Sequence, residues 1–180
     1  MKMLLDAIRF ANEKHAGQVR RGSGEPYVSH TIAVSYLVAA YKGRSSRLEE
    51  LLVAAVLHDC LEDTDATFEE LAIRFSPLVA SLVLELSNDE AKMAKLGKLE
   101  YQIKKLLGMS SYALVIKLAD RLHNISDHPT QRMVCDTLVL MDRLRKDRRL
   151  SRTQLEMVAA IETACHSAQQ AAEQTAKKAA

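Results

Sequence analysis

"LLVAAVLHDCLEDTDAT", Leu51 to Thr67, sets an apolar run directly against His58, Asp59, Glu62, Asp63 and Asp65. Leu51 to Leu57 contains no polar residue and no strand-type alternation, which suits a helix buried in a core. Four carboxylates and one imidazole then follow within eight residues. Gathered on a buried surface they would repel one another and lose solvation, so a positive partner is required. On a continuous helix at about 100° per residue, His58, Asp59, Glu62 and Asp63 fall within an arc of roughly 140°, while Leu57 and Leu61 point away. The stretch therefore reads as one helix with a single polar face. An imidazole beside a carboxylate is a ligand pair for a divalent first-row metal, which would supply the missing charge.

The same period extends along the chain. Apolar residues recur at three and four spacing in Leu4–Leu5–Ile8, Ile32–Tyr36–Leu37, Leu82–Val83–Leu86, Leu99–Ile103–Leu106–Leu107, Leu114–Leu118–Leu122 and Leu138–Met141–Leu144, the mark of amphipathic helices. Start signals agree: Thr67 with Glu70 and Ser151 with Gln154 have capping-box spacing, and Ser76-Pro77 suits a cap followed by proline at the first helical position. The predicted fold class is all-α, a helical bundle. With 180 residues and 48% apolar content, one domain spanning 1–180 is expected. Its alanine-rich end, about 168–180, has little to bury and reads as a fraying helix end.

Composition narrows the partners. The formal net charge of +2 gives no ground for bulk nucleic-acid binding. The basic run "RLRKDRRLSR", Arg143 to Arg152, reads as a solvated helix junction instead. No membrane span is expected, because "LLVAAVL" is far too short, and Asp6 and Arg9 interrupt the N-terminal stretch where a signal peptide would be apolar. A cytoplasmic location follows as the expectation. Cys60, Cys135 and Cys165 are scattered and odd in number, so neither a disulfide framework nor a cysteine metal site is suggested. Cys60 is two residues from His58, on a different helix face, and is not expected to be a nucleophile.

Two adjacent ligands do not complete a metal site. His30 ends the glycine-containing segment "RRGSGEPYVS", Arg20 to Ser29, and opens the next helix. In "IKLADRLHNI", Leu114, Leu118, Leu122 and Ile125 form the buried stripe, whereas Lys117, Asp120 and Asn124 share another face. His30 and Asp120 are thus further candidates. His15 and His123 read as structural residues near the site.

His30, the His58–Asp59 pair and Asp120 together match the H…HD…D pattern of the HD phosphohydrolase superfamily. More narrowly, "GQVRRGSGEPYVSH", "HDCLEDTDAT" and "IKLADRLHNI" resemble the (p)ppGpp hydrolase domain of the Rel/SpoT family and its stand-alone relatives, the small alarmone hydrolases. The resemblance runs from about His15 to about Arg132, and the chain length favours the stand-alone form. It implies an HD-type bundle in which His30, His58, Asp59 and Asp120 bind one divalent ion, Mn2+ in that family. Glu62 and Asp63 would orient and deprotonate the attacking water. Arg20 would lie near the guanine, with Arg21 as the alternative, and Asn124 near the ribose. Lys95, Lys98 and Arg132 match basic positions of the stand-alone relatives, although the lysines from Lys92 to Lys105 read equally as a solvated helix face.

The function implied is hydrolysis of the 3′-pyrophosphate of ppGpp or pppGpp, a small guanosine nucleotide, to GDP or GTP and pyrophosphate. Two alternatives stand beside it. One is another nucleotide phosphohydrolase, such as an NADPH phosphatase; the other is a non-catalytic metal module that senses nucleotide, which would have no use for a water-activating Glu62–Asp63 pair. The oligomeric state is left open by the sequence.

Overall fold

The structure is a computed structural model that describes residues 2–179, with side chains from 2 to 175. All regular elements among the described residues are helices: α1 Lys2–Lys14, α2 Val28–Lys42, α3 Leu48–Leu57, α4 Cys60–Asp63, α5 Phe68–Arg74, α6 Pro77–Leu86, α7 Glu90–Leu96, α8 Lys98–Gly108, α9 Ser111–Ser126, α10 Gln131–Asp147 and α11 Arg152–Ala179. The expected all-α bundle is what the chain forms. Its start signals work as read: Thr67 accepts from the Glu70 amide, Ser76 from Val79, and Ser151 and Gln154 cap each other reciprocally.

Two helices are apolar around most of their circumference and form the centre. In α3, Leu51 and the run Val53 to Leu57 are buried, and in α9 Leu114, Val115, Ile116, Leu118 and Ala119 are buried. A helix with so wide an apolar surface is stable only when most of it is covered. Accordingly α3 packs on α1, α2 and α6, and α9 packs on α2, α6 and α11. Within this cover the buried polar side chains His30, His58 and Asp120 fall together. That places His58 at the end of α3 and Asp120 on α9 close to His30 of α2.

The single-helix reading of Leu51–Asp63 is corrected by the structure. Helix α3 closes at Leu57, Asp59 has φ −101° and ψ −2°, and a new short helix starts at Cys60. No proline or glycine marks this break. Tertiary partners compensate for it: the Ala55 carbonyl accepts from His58 Nδ1, and the Tyr27 hydroxyl donates to Asp59.

The segment between α1 and α2 is held by one antiparallel bridge between Val19 and Pro26 and by the Arg20 amide donating to the Glu25 carbonyl. Gly22 has φ +100°, and a β-carbon there would lie 3.4 Å from His128 Cβ. This fold of the loop brings Arg20 against the C-terminal end of α9. The basic run near α10 is consumed locally: Arg143 pairs with Asp147, Lys146 with Asp142, Arg145 with Glu162, and Arg148 donates to the Leu106 and Leu107 carbonyls. The stretch expected to fray lies on α11, whose side chains are exposed from Gln170 to Thr175; Ala180 and the side chains from 176 onward lie outside the described residues. No described helix is long and apolar enough to cross a membrane.

Candidate metal centre and its surroundings

Three distant segments supply one buried cluster. His30, His58 and Asp120 each offer a ligand atom, and these atoms all lie within 4.8 Å of one another. His30 Nε2 is 3.3 Å, and His58 Nε2 3.8 Å, from Asp120 Oδ1. Asp59 flanks the group, its Oδ2 2.9 Å from His58 Nε2 and 4.0 Å from His30 Nε2. The four expected ligands are therefore neighbours, with three in the tight group and Asp59 at its edge.

The surroundings orient each of them. His58 donates from Nδ1 to the Ala55 carbonyl at 2.8 Å, which turns Nε2 into the cluster. That Nε2 is buried and makes no hydrogen bond, because Asp59 approaches at short distance but without hydrogen-bond geometry. His30 Nδ1 faces His123 Nδ1 at 3.0 Å, likewise leaving its Nε2 toward Asp120. The Tyr27 hydroxyl donates to Asp59 Oδ2 at 2.5 Å, and burial followed by the Asp59 charge raises the Tyr27 pKa, so it stays a donor. Asp120 Oδ2 pairs with Lys117 at 2.9 Å, and Asp120 Oδ1 accepts from Asn124 at 2.5 Å.

The charge question raised by the sequence now has an answer. Burial alone would lower the His58 pKa, but Asp59 and Asp120 overrule it and raise it to about 10. Lys117 is raised in the same way, against burial, by Asp120 and Asp59. Conversely Asp59 and Asp120 are held well below the ordinary carboxylate range despite burial, the first chiefly by His58 and the second chiefly by Lys117. The pocket demands positive charge. An orphaned imidazole nitrogen, a second imidazole and two ionised carboxylates fit a divalent cation, which would take over the charge otherwise supplied by the His58 proton.

The remaining expected residues sit around this centre at different distances from use. Glu62 and Asp63 are exposed on α4. Asp63 has its pKa raised, first by partial desolvation and then by Asp59 and Glu62, the direction that makes a carboxylate a better proton acceptor near neutrality. Arg20 Nη2 donates to Asn124 Oδ1 at 3.0 Å and to Asp127 Oδ2 at 2.9 Å, with Nε adding a 3.2 Å contact to Asp127. Arg20, Asn124 and Asp120 thus form a hydrogen-bonded line leading to the cluster. Arg21 is exposed. Lys98 and Arg132 line one cleft of about 270 Å³ together with Arg121 and Gln102. Lys95 is exposed on α7 and does not line it. Among the lysines of this region, Lys92 pairs with Asp89, Lys104 with Glu100, and Lys105 with backbone carbonyls. The solvated-face reading fits Lys92 and Lys104; Lys105 is turned inward.

Two contributors carried no sequence signal of their own. Tyr27 and Asn88 act through side chains that meet the site across 26 or more residues. Tyr27 lies in a segment singled out by resemblance, which is the one hint that could have found it. Lys117 was visible as a face-mate of Asp120. His15, expected to be structural, hydrogen-bonds to Gln18 and stacks near Tyr27 at 4.9 Å.

Cys60 lies inside the motif, buried, with burial first and Asp59 next pushing its thiol up to about 12. Thiolate is the reactive form. In the folded protein at neutral pH, a thiol reagent is expected to label exposed Cys135 and to spare Cys60 and the equally buried Cys165; mass mapping of the adducts checks this. Early labelling of Cys60 would show that α4 opens away from the core.

Residues 7–137 match the family model described as the HD domain. The chain is 36% identical over 126 residues to guanosine-3′,5′-bis(diphosphate) 3′-pyrophosphohydrolase MESH1 of Danio rerio, covering 69% of this chain and 68% of that protein. It is 37% identical over 125 residues to the Homo sapiens MESH1, with the same coverage. It is also 37% identical over 138 residues to the bifunctional (p)ppGpp synthase/hydrolase SpoT of Escherichia coli, of which it covers 18%. A solved structure of a metazoan orthologue of SpoT, described as hydrolysing ppGpp, superposes with a TM-score of 0.75 at 30% identity, covering 91% of this chain and 96% of that one.

Proposed function

The chain belongs to the HD-domain family, and on that premise we propose that it hydrolyses the 3′-pyrophosphate of ppGpp and pppGpp, yielding GDP or GTP and pyrophosphate. The observation that carries this reading is the convergence of His30, His58 and Asp120, flanked by Asp59, beside an acidic pair on α4, in a chain related to proteins named for that reaction.

In this proposal His30, His58, Asp59 and Asp120 hold one divalent ion, manganese. Such an ion supplies Lewis-acid charge to phosphoryl oxygens and lowers the pKa of water. The protein's own part is proton handling and positioning. Glu62 and Asp63 orient the attacking water and accept its proton, the raised pKa of Asp63 suiting it to that task. The water oxygen bonds to the phosphorus carried on the ribose 3′-oxygen, the phosphorus–O3′ bond breaks to release pyrophosphate, and the 3′-oxygen leaves as a hydroxyl by taking up the proton that the Glu62–Asp63 pair took from the water. Arg20, already oriented by Asp127, presents a planar guanidinium to the guanine face, and Asn124 reaches the ribose. The cleft with Lys98 and Arg132 takes phosphate charge; Lys95, exposed on α7 outside that cleft, is the third cation of the proposal.

The deciding experiment incubates purified, manganese-loaded protein separately with ppGpp, NADPH and a deoxynucleoside monophosphate and separates the products by chromatography. GDP and pyrophosphate from ppGpp are the expected products. Faster phosphate release from NADPH would replace this substrate assignment, and binding of ppGpp without turnover would make the chain a sensing module. Arg20→Ala is expected to weaken ppGpp binding by roughly 3- to 30-fold, the range of a lost cation–π contact on a base, with metal content intact. Unchanged affinity would transfer the base contact to Arg21.

A further inference from the structure

Glu62 does not stand free on α4. Its Oε2 accepts from the Asn88 backbone amide at 2.9 Å and its Oε1 from the Asn88 side-chain amide, also at 2.9 Å. Both oxygens are thus engaged by one residue 26 positions away, in the turn between α6 and α7. A two-point hold fixes the plane of a carboxylate as well as its position.

Asn88 is fixed in turn. Lys105, on α8, donates to Asn88 Oδ1 at 3.0 Å and to the Leu86 and Ser87 carbonyls at 2.6 Å each. An ammonium has three protons and no acceptor capacity, so all of its protons go to this one turn. The consequence for Asn88 is an unambiguous amide: the oxygen must face the ammonium, which leaves the NH2 group facing Glu62. Leu86 and Ser87 end α6, so the same lysine also satisfies carbonyls at a helix C-terminus. Lys105 is half-buried in this placement, and that burial, followed by the nearby Lys117, lowers its pKa to about 8.

Helix α7 begins two residues beyond Asn88, with Asp89 capping Lys92. The turn that holds the carboxylate therefore also carries the helix that bears Lys95.

We infer that Asn88 is a positioning residue for hydrolysis, setting the direction of the Glu62 carboxylate toward the attacking water, and that Lys105 locks the Asn88 amide in the orientation this requires. The inference rests on the hydrolase reading above and adds two residues to it. Neither residue touches substrate; both act through Glu62.

A kinetic double-mutant cycle tests it on the full-length, metal-loaded protein. Asn88→Ala in the otherwise native chain is expected to lower kcat about tenfold, with KM changed less than about twofold and metal content unchanged. In a Glu62→Gln background the same substitution is expected to cause no further loss, because the group it positions is already disabled. Asn88→Asp, nearly identical in size, is expected to be worse than Asn88→Ala, since it sets a second carboxylate against Glu62. Equal losses from Asn88→Ala in both backgrounds, a loss confined to KM, or a harmless Asn88→Asp would each overturn the inference. An activity-independent arm separates this from failure of the functional reading. Hydrogen exchange at the Asn88 backbone amide should accelerate by about tenfold or more in Glu62→Ala. If the native protein hydrolyses none of the nucleotides offered, the functional reading falls. In that case, acceleration at Asn88 would still establish the hold on Glu62, and unchanged exchange would remove it.

Discussion

His58→Ala is expected to purify without stoichiometric metal and to melt at lower temperature, and Asp59→Asn to do the same. The atoms concerned come from α2, the α3–α4 junction and α9, so an ion bound among them ties together segments that are independent in the unfolded chain. Its binding free energy is then folding free energy. His58→Ala should cost more than the ion alone, because Asp59 and Asp120 lose the imidazolium that pairs with them in the metal-free protein. Elemental analysis and thermal melts with and without a chelator provide the check. In the native protein chelation should lower the melting temperature, whereas the His58→Ala melt should not respond to it. Stoichiometric metal in either variant would mean that the ion sits elsewhere.

The second large effect is on turnover alone. Glu62→Gln and Asp63→Asn preserve size but remove the charge that, in the proposed mechanism, accepts a proton from water. General-base catalysis contributes typically ~10²–10⁴-fold, so the single-turnover rate should fall by that order while the ppGpp dissociation constant stays the same or improves through reduced repulsion of phosphate. The two substitutions are not equivalent in this structure. Glu62→Gln also sets a side-chain NH2 group toward the two N–H donors of Asn88, so it disturbs direction as well as charge. Asp63 makes no such paired contact; its backbone carbonyl accepts from Gln18. Asp63→Asn is therefore the cleaner measure of proton transfer. Rapid-quench rates and equilibrium binding on the same preparations separate the two quantities. A variant that loses binding but turns over bound ppGpp at the native rate would make the pair a structural support and leave the base unidentified.

The sequence alone determined the helices, their main caps and the residues worth bringing together. Those are consequences of short-range physics: three and four spacing selects a buried stripe, and Thr67, Ser76 and Ser151 satisfy amides three residues away. It also set Asp120 and Asn124 on a polar face of α9 apart from its leucine stripe, since a polar stripe on an apolar helix leaves a periodic trace, but that this face is itself covered at Asp120 is a matter of packing. Which atoms face one another was decided only by tertiary structure. The break at Asp59 has no glycine or proline to announce it and is held by Tyr27 from 32 residues away. Arg20 finds Asp127 across 107 residues, and Glu62 finds Asn88 across 26. Such contacts leave no period in the sequence, because they depend on how two helices are rotated and shifted as they pack. An asparagine that clamps a carboxylate of another helix and one that merely ends a helix are the same letter until α4, α6 and α8 have met.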